Sequence, residues 1–366
     1  MNLKEIQSYT TIVVVLLSLT ACSSSTSQIQ NDDVVKKTGQ TKSYDVDGVE
    51  VSDNSLFDDG YYEKGIKPKY TRNSTTEIVT DHITGLEWQD NYEVFSEGRS
   101  WINPKVSALC KGDYGYPSCP DEDCSPCYDT SGDTAITYCL ELDLDGGGWR
   151  LPTVEELSYI VNKEETKPSI NSTFKYIENS SYFTSSIIGG RFLPVTVDFH
   201  EGYSLKSFPK VYNFGAHIRC VRGDDNSSLL GSLSRNSQGI VTSNKTKLQW
   251  QDIYKSSELN TSNVNWEEAI NYCETLDLNG TNWRLPNINE LSTILNHKSE
   301  LDTTFEIGYN AQYWSSTSYK GTTGGVLPGE RQESNVLAWV LSTEANSYYV
   351  TSGEDKRRFN SVRCVR

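Results

Sequence analysis

The sequence predicts an α+β chain of two tandem modules, each with two short helices and a mostly antiparallel sheet, stapled by disulfides. Three observations predict this. The first is a duplication. Residues 146–162 read GGGWRLPTVEELSYIVN and residues 280–296 read GTNWRLPNINELSTILN, identical at 10 of 17 positions. A match of that kind marks a repeated structural unit. The second is cysteine spacing. Cys139 and Cys273 each lie ten residues before a tryptophan, Trp149 and Trp283, while Cys220 and Cys364 sit in IRCVR and VRCVR near the ends of the two copies. Pairing Cys139 with Cys220 and Cys273 with Cys364 closes each copy on itself. Bridges over loops of that size contribute on the order of 4 kcal/mol each. The third is the apolar pattern, which changes from alternation to a helical period and back within each copy.

Taken in order, residues 1–22 read as a targeting segment. The apolar run TIVVVLLSL at 11–19 is too short to cross a hydrocarbon core of about 30 Å. Leu19-Thr20-Ala21-Cys22 follows and resembles a bacterial lipobox, which makes Cys22 the lipidated first residue of the expected product. Ser23 after it points to the outer membrane, with the modules facing the periplasm or the cell surface. Residues 23–69 are expected to form a flexible tether, because the polar composition of most of this stretch offers too little apolar surface to offset ordering entropy. Within it, Asp45-Val46-Asp47-Gly48 lacks most of the oxygen ligands of a calcium loop.

Module one spans 70–223 and opens with TEIVTDHITGLEWQD. Module two spans 237–366 and opens with SQGIVTSNKTKLQWQD, after a short linker at 224–236. Both openings alternate around a turn, as a hairpin does. From Trp88 to Trp149 is 61 residues, but from Trp250 to Trp283 only 33. Module one therefore carries a Cys-rich insertion at about 91–134, with Cys110, Cys119, Cys124 and Cys127. Four thiolates suit zinc, but in an oxidising compartment two disulfides are favoured, in one of three connectivities. No metal and no cofactor is expected.

The helix before the shared motif is clearest in module two. Trp266, Ala269, Ile270, Cys273 and Leu276 share one face, behind a capping box of Asn265 and Glu268. The next helix is capped by Thr153 with Glu156, and by Asn287 with Glu290. Strands and Gly-rich loops follow. Arg150, Arg284, Trp149 and Trp283 recur beside core positions, which favours internal packing over ligand contact.

Lys plus Arg is 33 and Asp plus Glu is 49, a net charge of −16. A surface of that sign repels nucleic acid at long range. The histidines, His82, His200, His217 and His297, occupy positions the copies do not share. No G-x-S-x-G, P-loop, G-x-G-x-x-G or H-E-x-x-H motif accompanies them, so the chain reads as non-enzymatic. Arg222-Gly223-Asp224 spells an integrin-type tripeptide that module two lacks.

The set TGLEWQD, AITYC, GGGWRLPTVEEL, SYFTSS and IRCVR, repeated as TKLQWQD, AINYC, TNWRLPNINEL, YWSST and VRCVR, resembles the Lcl C-terminal domain family over nearly all of 72–366. The WRLPT-x-x-EL core is similar to a stretch of formylglycine-generating-enzyme-like domains, which implies a C-type-lectin-like fold. The family's namesake implies adhesion to host glycosaminoglycans. This chain departs from it in lacking a Gly-X-Y array and in the sign of its charge. The resemblance thus implies tandem binding modules for a glycan or a protein. The alternatives are a structural envelope protein without soluble ligand and an enzyme of the formylglycine-generating type. The candidate ligand loop is 318–335, with Tyr319 and Lys320, where lectin-like folds hold ligands.

Overall fold

The computed structural model describes residues 35–366, apart from 53–54, 97, 104, 106–128, 189–192, 207–215, 225–230, 254–263, 296–302, 307–310, 323–332, 345–346 and 348. Cys22, the cysteines of the insertion (Cys110, Cys119, Cys124 and Cys127), His297 and most of the candidate ligand loop lie outside the described residues.

Ahead of module one come the strands β1 (Ser43–Tyr44) and β2 (Glu50–Val51) and the helix α1 (Asp59–Tyr62). Module one then runs β3 (Tyr70–Asn73), β4 (Ile78–Asp81), β5 (Glu87–Gln89), α2 (Glu93–Ser96), α3 (Ala135–Glu141) and α4 (Val154–Ser158). It ends with β6 (Ser181–Ile188), β7 (Leu193–Asp198), β8 (Ser204–Lys206) and β9 (Val221–Arg222). Module two repeats the order: β10 (Leu233–Arg235), β11 (Ile240–Ser243), β12 (Gln249–Gln251), α5 (Trp266–Glu274), α6 (Ile288–Ser292), β13 (Gln312–Thr322), β14 (Glu333–Ser342) and β15 (Tyr349–Asp355). The architecture is α+β. Strand β10 pairs with β11, so the sheet of module two begins inside the stretch expected to be linker.

Module one has a third short helix, α2, beyond the two expected; the two helices common to both modules start where a side chain meets the free backbone donors of the first turn. Reciprocal capping boxes form at Thr134, Thr153, Asn265 and Asn287. Such caps are worth roughly 1 kcal/mol each. Cys139 is bonded to Cys220 and Cys273 to Cys364, each bridge tying a helix to the last segment of its own module. Within the insertion, Ser100 and Thr134 bridge one another. Trp101, ahead of the insertion's cysteines, donates its indole N–H to the Thr184 carbonyl at 2.8 Å, and Trp266 does the same to Ser315 at 2.8 Å. The equivalent buried indole thus comes from the insertion itself in module one and from the first helical position in module two.

The modules are not separate beads. A single six-stranded antiparallel sheet runs through both, in the order β13-β14-β15-β8-β7-β6. Read from either edge, corresponding strands come in the same order, so the two copies meet as an isologous pair does, through β8 and β15. At this seam Tyr349 is paired with Leu205 and Thr351 with Ser204. One apolar cluster crosses it, joining Val161, Val195 and Val197 to Tyr319, Trp339 and Val350. Each module keeps a second cluster around its disulfide.

Residues 35–69, expected as the outer part of a flexible tether, are instead packed as a strap over both modules. Lys36 is 1% exposed and ion-paired with the equally buried Asp81 of module one, and its carbonyl accepts from Asn289 of module two at 3.0 Å. Lys163 donates its backbone N–H to the Thr38 carbonyl at 2.9 Å. Ser318 donates its backbone N–H to the Gln40 side chain at 2.7 Å. Asp59 accepts from Thr38 at 2.6 Å and from Thr317 at 2.8 Å. The order of this segment rests on polar partners supplied by distant residues, which composition does not reveal.

Candidate functional site

The charges repeated in both copies serve the scaffold. Arg150 makes a two-pronged contact with Glu156 at 2.7 and 2.6 Å, and Arg284 with Glu290 at 2.7 and 2.5 Å. The same carboxylates accept the N-cap backbone N–H groups of Thr153 and Asn287 at 2.9 and 3.0 Å. The WRLP motif is therefore an extended capping box in which arginine fixes the capping glutamate. Trp149 and Trp283 are buried and carry Arg222 and Arg366 stacked on their rings. The arginine of the integrin-type tripeptide is thus taken up inside its own module. Asp90 and Asp252, fully buried, each bind two arginines: Arg72 with Arg219, and Arg235 with Arg363.

The candidate ligand residues of the sequence divide. Tyr319 is 4% exposed, packs edge-on to Trp339 at 4.6 Å and donates its hydroxyl to Glu201 of module one at 2.7 Å. It belongs to the seam and is not on a ligand loop. Gly321 and Gly353 leave room for its ring, since a side chain at either would collide with it. Lys320 reaches the Glu164 carbonyl at 3.4 Å. His82 contacts Thr71, and His217 lies against Tyr182. Among the described residues, no three His, Cys, Asp or Glu side chains converge to hold a metal ion.

Module two carries a cleft of about 830 Å³ where several residues differ from those of its copy. Its floor is Trp283 and Arg284, and its walls include Lys247, Gln249, Glu274, Thr281, Asn282 and Arg366. The strap adds Tyr62 and Lys64, and Tyr62 donates its hydroxyl to Glu274 at 2.8 Å. Burial and this carboxylate raise the phenol's pKa, so it remains a neutral donor. In module one Gly85, Glu87, Gly147 and Gly148 stand at the positions of Lys247, Gln249, Thr281 and Asn282. Glu87 there neutralises Arg222 at 2.7 Å, whereas in module two the neutral Gln249 accepts from Arg366 at 2.8 Å. Other hollows occur among the described residues. One of about 620 Å³ in module one is lined by Glu93, Arg99, Asp133, Glu141 and Asp143. One of about 420 Å³ lies between the strap and module one, beside Tyr70 and Tyr159.

Two α+β modules fused through one sheet, with an open polar cleft on the second, define a duplicated-domain scaffold. The chain belongs to the Lcl C-terminal domain family, whose model matches residues 77–222 and again 239–366. No curated protein matches the chain. The duplication and the helix signals were legible in the sequence. The contribution of Tyr62 and Lys64 to the cleft was not, because they are distant in sequence from the modules' shared motifs.

Proposed function

We propose that this chain is an exported envelope lipoprotein, anchored by lipid at Cys22 in the outer membrane, whose tandem modules bind a glycan or a protein without catalysis. Each module is read as C-type-lectin-like. One observation carries the reading: the charges repeated in both copies are locked into the scaffold, while the open cleft on module two adds to its repeated Trp283, Arg284 and Arg366 a rim of Lys247, Gln249, Thr281 and Asn282 that its copy lacks. Function on a rigid frame resides in such variable surfaces. The acidic body supports a partner other than nucleic acid. Binding to an array of glycans and matrix proteins at physiological salt tests the proposal. A reproducible hit supports it, and a blank array favours a purely structural envelope role. Cys22→Ala is expected to release the protein from the membrane fraction, and unchanged retention would refute the anchor.

A further inference from the structure

We propose that the cleft on module two binds the end of a saccharide carrying a single carboxylate. The inference rests on the binding role above and assigns it a site and a ligand chemistry.

Three observations converge. The first is charge. Lys64, Lys247, Arg284 and Arg366 line the cleft against one acid, Glu274. Glu290 compensates Arg284, and Tyr62 holds Glu274. Arg366 has no acidic partner among the described residues, Lys64 is exposed, and the exposed Lys247 donates its ammonium to the Asn244 carbonyl at 2.7 Å; these three are the cations presented to a ligand.

The second is backbone strain. Lys247 has φ +60° and Asn282 φ +71°, whereas module one places Gly85 and Gly148 there at φ +76° and +86°. Glycine suits this left-handed conformation and lysine does not. Module two keeps a strained lysine, beside an asparagine that tolerates this conformation, where its own copy has glycines, and both line the same cleft. Strain of this kind is characteristic of sites held for function.

The third is the donor set. Gln249, Thr281 and Asn282 supply amide and hydroxyl groups suited to a polyhydroxylated ring. The net charge of −16 opposes a long polyanion, so a terminal, singly charged sugar fits where a sulfated chain does not. Tyr62 and Lys64 lie outside the family-matched residues, so the site belongs to this chain and not to the module at large.

The test uses the full chain in detergent and titrates lactose, lactose capped with sialic or glucuronic acid, and dextran sulfate. An acid-capped form should bind at least about ten-fold more tightly than lactose, the factor one charge-assisted hydrogen bond carries. The variant Lys247→Gly/Gln249→Glu gives module two the residues of its copy, which already fold in that setting, and should abolish the preference. Lys64→Ala should weaken it. Equal affinity for all sugars, no sugar binding, or tighter binding of dextran sulfate unaffected by the variant would overturn the proposal. If the array still gives a hit on another ligand, the binding role stands and only this site falls. If the array is blank as well, both fall.

Discussion

The hydroxyls of Ser204 in module one and Thr351 in module two share a hydrogen bond at 2.8 Å, and the Ser204 backbone N–H donates to the same Thr351 oxygen at 3.1 Å. Two copies of one module are thereby sewn into a single sheet. Unfolding should then be one cooperative transition, because melting of either half leaves β8 or β15 of the other as a bare sheet edge and strips its side of the shared apolar cluster. Scanning calorimetry of the folded protein checks this. Two well-separated transitions would contradict the coupling.

Lys36 and Asp81 are a buried ion pair between the strap and module one. Lys36→Met leaves a buried carboxylate without its cation and should cost roughly 3–5 kcal/mol. The double variant Lys36→Met/Asp81→Asn should recover at least half of that loss. Chemical denaturation of the three variants decides it. Equal losses for the single and double variants would show that the pair is not coupled.

Two buried groups predict opposite pH slopes. Burial raises the pKa of Asp59 from 3.8 to about 7, with Glu290 and Asp58 pushing the same way against the hydrogen bonds from Thr38 and Thr317. Its contribution to stability is full below pH 3.8 and is lost as pH rises through about 7. Burial lowers the pKa of Lys163 from 10.5 to about 7. Its contribution is present above pH 10.5 and is lost as pH falls through about 7. Asp59→Asn should flatten the decline in melting temperature between acid and neutral pH. Lys163→Met should make the rise on the alkaline side shallower, while Lys356 and Lys36, shifted the same way by burial, keep part of it. Unchanged slopes in both variants would rule out these assignments.

Lys247→Gly relieves a left-handed lysine and should raise stability by about 1 kcal/mol. A gain in stability with a loss of sugar binding is the outcome expected of a residue kept for its ligand. A loss of stability would mean that the lysine stem packs more than it strains.

Local features were legible because their causes are local. The capping residues Thr153 and Asn287 and the apolar face of Trp266, Ala269, Ile270 and Cys273 follow from spacing alone. The strap was misread because Asp58, Asp59, Gln40 and Lys36 are buried by hydrogen bonding, and polar burial leaves no mark in hydropathy. Tyr319 was misread for a related reason. The glycines around it suggested a loop, but Gly321 and Gly353 make space for its ring inside a sheet. The cleft was half-visible: aligning the copies exposes the change from Gly85 to Lys247, but nothing in the sequence brings Tyr62 to Glu274.

The packed strap also changes how the protein would sit on a surface. If Cys22 carries the proposed lipid, the 12 residues between it and Val35, the first described residue, can span at most roughly 40 Å. The twin modules would ride close to the bilayer. The strap grips module one through Asp81 and module two through Asn289 and Thr317. A tug on the anchor would therefore be shared by both halves at their common border, and a bound partner would pull against the whole body at once.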